Sequence, residues 1–173
     1  MSQRTINLSL AVVEGMHLAG LVDEFMSMLN DSAETPDRGI ERLTPTAYPD
    51  DAEASAEFSA ATRGDLLDRR TADAAVVRQG LMPFLHTAGE DLVGDEVLEP
   101  RDVTIAVADV DAWLRTLTAL RLVIATHLDI TTDDDDHDPE DPRFGIYDWL
   151  GFRLDGLIAI ADAYDGTAPD DRA

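Results

Sequence analysis

A chain of 173 residues is long enough to bury one sizeable core and too short to need two. Its 36 acidic residues against 13 basic ones give a formal charge of −23, so most of its surface repels a phosphate backbone and direct nucleic-acid binding is disfavoured. There is no cysteine for disulfide or thiolate chemistry. No apolar run approaches the roughly 18–20 residues of a membrane span, and the start lacks a signal-peptide pattern, so a cytoplasmic location without membrane contact is expected.

Every base is arginine, and Asp outnumbers Glu by 26 to 10. The first reading of this surface is solvation in a GC-rich or salt-adapted genome. The second is a face that steers a basic partner.

Thr5-Ile6-Asn7-Leu8 alternates and predicts a strand, after which Ser9 can cap a helix over about 10–30. Leu18, Leu21, Val22, Phe25 and Leu29 form the apolar face of that helix. Residues 31–38 connect to a short helical turn at 39–43, and Pro45 and Pro49 then impose an extended path. Asp50 and Asp51 open a helix to about residue 61. Thr62-Arg63-Gly64-Asp65 resembles a second cap, which predicts a separate helix to about residue 79, stopped by Pro83. Residues 87–96 read as a loop and Val97-Leu98 as a third short strand. Val103–Ala106 should pair with Thr5–Leu8, because each precedes a capped helix and neither satisfies its backbone alone.

The strongest helix signal runs from Asp109, its expected cap, to about residue 130. Trp113, Leu117, Leu120, Ile124 and Leu128 share one face, and Leu114, Leu122 and Val123 widen it. Arg121 lies beside this stripe, so its stem should run along the core with a carboxylate at its head. Asp50 or Asp51 is the favoured partner and Asp148 the alternative. The acidic run Asp133–Asp138 should be an exposed loop without an ion, since it lacks the glycine and final glutamate of an EF-hand. A last helix spans about 144–164, with a frayed tail beyond Gly166.

Leu43–Asp51 with Ala56-Glu57-Phe58 and Thr62–Arg69, Ala112-Trp113-Leu114-Arg115 with Leu120-Arg121-Leu122, and Tyr147-Asp148-Trp149-Leu150 together resemble a family of small actinobacterial proteins. It is known only as a domain of unknown function, and its members are commonly encoded beside the N-end-rule adaptor of the Clp protease. The chain departs from it at Thr118-Ala119, where relatives usually carry Asn-Asp, and near Arg153–Asp155, where a polar Gln or Glu is replaced. The resemblance implies a mostly helical fold and no chemistry. Some members bear the label of transcriptional regulator.

No constellation reads as a reaction centre. Asp50, Asp51, Glu53 and Glu57 cluster where acids complement a helix dipole. The four histidines lack the spacing of a zinc site. Asp65, Asp68 and Asp73 interleave with Arg63, Arg69, Arg70 and Arg78, which predicts intrahelical salt bridges.

The sequence therefore predicts a mainly α, single-domain helical bundle of four to five principal helices with a small β-ribbon. No catalytic residue, metal or cofactor is expected. Asp50, Asp51, Arg63, Trp113, Arg121, Asp148 and Trp149 are candidate structural or partner-binding residues. The leading function is a non-enzymatic protein-interaction module associated with regulated Clp proteolysis, its protein partner unidentified. A transcriptional regulator is the alternative, and an enzyme or metal-binding protein using the acidic cluster the third. Homo-oligomerisation stays open.

Overall fold

Strand β1, Thr5–Ala11, buries Ile6, Leu8 and Leu10 on one face and leaves the residues between them in water. Strand β2, Pro100–Ala106, buries Val103 and Ile105 in the same alternation. The two pair antiparallel from Thr5 opposite Ala106 to Ala11 opposite Pro100, so the expected pairing of these two stretches forms. The computed structural model describes residues 4–44, 48, 50–87, 94–131, 140–142 and 144–165. The expectations for Asp133–Asp138 and for the tail beyond Gly166 lie outside them.

Six α-helices accompany the ribbon among the described residues: α1 Val12–Asp31, α2 Arg38–Arg42, α3 Ala52–Gly80, α4 Met82–Thr87, α5 Val110–His127 and α6 Gly145–Asp165. The protein is mainly α, with four long helices and two short ones. Helix α5 is central, packing on α2, α3, α6 and α1, with Trp113, Leu117, Leu120 and Val123 in the core. Coverage on several sides is what its wide apolar circumference requires.

Four local expectations are corrected. Ser9 is no cap: the period-2 pattern runs on through Leu10, so the strand continues to Ala11 and turns directly into α1. The predicted break at Thr62–Asp65 does not occur, and α3 is one helix of 29 residues. There the Thr62 hydroxyl donates to the Phe58 carbonyl at 2.8 Å, one turn back, instead of capping a new helix. Val97-Leu98 belongs to a 3₁₀ turn, Gly94–Leu98, with Leu98 64% exposed; so short a run gains no ladder partner. Asp109 ends a second 3₁₀ turn, Val107–Asp109, and its side chain makes no capping bond.

The N-terminus of α2 is fastened to the C-terminus of α5. Asp37 caps α2, its Oδ1 accepting the Gly39 and Ile40 amides at 2.8 and 3.0 Å, while Oδ2 lies 2.9 Å from Nε2 of His127. Arg38 donates to Asp129 and to the His127 carbonyl, both at 2.7 Å. This holds Asp129 at φ 60°, a left-handed turn just past the helix end. Burial pushes the Asp37 pKa up, but the Ile40 amide, His127 and the Gly39 amide together bring it below its ordinary value. Asp37→Ala should cost about 1 kcal/mol. The urea midpoint will read this, and the difference from the parent should vanish as pH falls through the depressed pKa of Asp37.

Candidate functional site

Glu14 is the third residue of α1, and its Oε2 accepts the Ala11 backbone amide at 2.9 Å. This is the reciprocal half of a capping box, made without a hydroxyl at the cap. The same carboxylate joins α1 to α6. Trp149 donates its indole N–H to Oε1 at 2.7 Å, and Arg153, one turn further along, donates Nη2–H to Oε2. Arg153 also reaches the Ser9 carbonyl at 3.4 Å. Burial pushes the Glu14 pKa up, but hydrogen bonds from Arg153, Trp149 and Ala11 and the charge of Arg153 outweigh it. The pKa falls from 4.5 to about 2.

These bonds leave an apolar depression at the surface. A shallow groove of about 240 Å³ is lined by Val13, Glu14, His17, Gly145, Ile146 and Trp149, with the His17 ring edge-on to Trp149 at 6.1 Å. Of the lining residues Val13 is 44% exposed, and Phe152, one turn beyond Trp149 on α6, is 68% exposed. The polar atoms of Glu14 and Trp149 are turned toward each other, so the groove presents carbon to water.

The seven sequence candidates do not form one site. Trp149 stands in this groove, and Asp148 beside it is exposed in the first turn of α6. Trp113 is 2% exposed, with its ring against Gly80 of α3, and serves as core. Asp51 caps α3, accepting the Glu53 and Ala54 amides at 3.1 and 3.0 Å, and Asp50 before it is exposed. Arg63 donates to the Thr44 hydroxyl at 3.0 Å. Arg121 runs along the core as its position predicts, but it does not reach Asp50 or Asp51. Its guanidinium lies over the Tyr147 ring on α6, 4.0 Å from the centroid, because α6 and not the start of α3 packs on that side of α5.

Sequence reasoning missed Glu14, His17 and Arg153. Placing the helix start at Val12 would have put Glu14 at the third helical position, where a carboxylate commonly serves the cap. Its partners on α6 leave no local signal.

No group of three or more His, Asp or Glu residues that could hold a metal ion occurs among the described residues. No described helix is long and apolar enough to cross a membrane. No curated protein and no solved structure matches the chain. One family does, a domain of unknown function (DUF2017), over residues 1–161. With all but the final residues of the sequence matched, this chain belongs to the DUF2017 family.

Proposed function

We propose that the chain is a non-enzymatic protein-interaction module acting in regulated Clp proteolysis, and that the face shared by α1 and α6 is its docking surface. One observation carries the docking face. Val13 stands exposed in the lining of an apolar groove, Phe152 stands exposed one turn along α6 from its Trp149, and the Glu14 carboxylate and Trp149 indole N–H of that groove are satisfied by one another. Large apolar side chains gathered around a preformed depression are what a partner side chain fills. The charge of −23 supports a partner with a basic surface, brought in by long-range attraction. The link to Clp proteolysis rests on the gene neighbourhood of the family.

Affinity capture with purified Clp components as prey tests both parts. The parent chain should retain one component, and Phe152→Asp or Val13→Asp should lose it; both sites are exposed, so the fold persists. Capture that is unchanged by both substitutions, or absent across a range of salt concentrations, removes the proposal.

A further inference from the structure

Helix α3 carries Arg63, Arg69, Arg70 and Arg78 interleaved with Asp65, Asp68 and Asp73, yet the expected intrahelical pairs do not form. Arg63 turns to Thr44, and Arg78 turns to Asp23 on α1 at 2.5 Å. Asp73 turns to α5, where Arg115 grips it through two bonds of 2.8 and 2.9 Å, with Asp111 4.0 Å from the same guanidinium. Arg69 and Arg70 are left with no ion pair among the described residues, in a chain with 36 acidic side chains.

Arg70 is the more unusual of the two. Among the described residues its Nε is buried without a hydrogen-bond partner, and its one bond there runs from Nη2 to the Leu43 carbonyl at 3.5 Å, the outer limit of such a contact. Burial pushes its pKa down, and the nearby charge of Arg115 pushes the same way against Asp73. A half-buried guanidinium in this state is short of negative charge. Arg69, Arg70 and Arg115 also line one groove of about 500 Å³, closed by Leu66, Ala72 and Asp73. Three positive groups face one carboxylate there, on a molecule that is otherwise strongly negative.

We propose that this groove between α3 and α5 binds a small molecule through an oxyanion group, a phosphoryl or a carboxylate, held by Arg70 and Arg69 with Arg115 at the rim. The planar guanidinium fork suits either group. The groove has the volume of a small ligand. Beyond it the acidic surface opposes an extended polyanion. Asp73 has the role of fixing Arg115 in place.

The test uses the full chain labelled with ¹⁵N, following the arginine Nε–H signals while inorganic phosphate or, separately, acetate is added at low ionic strength. The expected result is saturable movement of the Arg70 signal in the millimolar range. Arg70→Gln should weaken binding about tenfold or more, since a charge-assisted bond is lost. Because Arg70 is half-buried, Arg69→Gln, at an exposed position, provides a second variant, and circular dichroism confirms that each is folded. Saturation by phosphate alone assigns a phosphoryl ligand, and equal saturation by acetate assigns a carboxylate. Saturation by neither, or binding unchanged in both variants, overturns the proposal.

Discussion

Replacing Glu14 by glutamine is expected to destabilise the protein by roughly 2–3 kcal/mol, with the loss concentrated above the acid range. Glutamine keeps the shape and still accepts from Trp149 or Ala11, but it leaves the guanidinium of Arg153, only 19% exposed, without its carboxylate. Solvent at the edge of the groove screens part of the charge, which keeps the figure below that of a fully buried pair. The pH dependence has a definite sign. A carboxylate whose pKa drops from 4.5 to about 2 on folding adds stability that is present above pH 4.5 and lost as pH falls toward 2. Chemical denaturation across that range should show the parent falling and Glu14→Gln nearly flat by comparison. Superimposable profiles would show that the tie contributes nothing. Adding Arg153→Met should recover part of the loss, because no charge is then stranded.

Gly15→Ala should cost about 2 kcal/mol, although alanine is the better helix former by roughly 1 kcal/mol. A Cβ at Gly15 would lie 2.2–2.4 Å from three ring carbons of Phe84, which is fully buried on α4. The ring has no solvent to move into, so α1 and α4 must separate or Phe84 must leave its rotamer. Gly20 lies on the same helix with nothing within 4 Å of a built Cβ, and Gly20→Ala provides the control: it should stabilise slightly. Thermal unfolding should place Gly15→Ala below the parent by roughly 4–8 °C. A Gly15→Ala protein as stable as the Gly20→Ala control would mean that Phe84 does not fill this space. Pairing Gly15→Ala with Phe84→Leu should restore stability relative to Gly15→Ala alone, since the smaller side chain makes room.

How far the sequence could be read depended on the range of the interaction that decides each feature. The ribbon and the faces of α1 and α5 follow from periodicity, which a sequence displays directly; Ile6, Leu8 and Leu10 alternate, and Trp113, Leu117, Leu120 and Ile124 keep to one face. The break placed at Thr62–Asp65 came from cap-like residue types, yet the Thr62 hydroxyl is equally content with a carbonyl inside a continuing helix. Arg121 was legible as a stem along the core, but not its neighbour: that depends on whether α6 or the start of α3 flanks α5. The candidate site was the least legible part. Trp149 was singled out, but Glu14 stands 135 residues away from it, and only the packing of α6 on α5 and β1 brings the two together.

The register that sets Thr5 opposite Ala106 has a consequence for how the chain is made. During synthesis β1 leaves the ribosome well before its pairing strand has been translated, and α1 to α4 all emerge in the interval. Until then Ile6, Leu8 and Leu10 form an apolar row on a backbone with no ladder partner, the kind of edge on which nascent chains join one another. Closing a loop of that length costs about 4 kcal/mol in chain entropy beyond the constant term. The ribbon therefore belongs to the slow, late part of folding, after the local helices have formed. A nascent chain halted before Pro100 exposes a strand that only translation of the second half can cover.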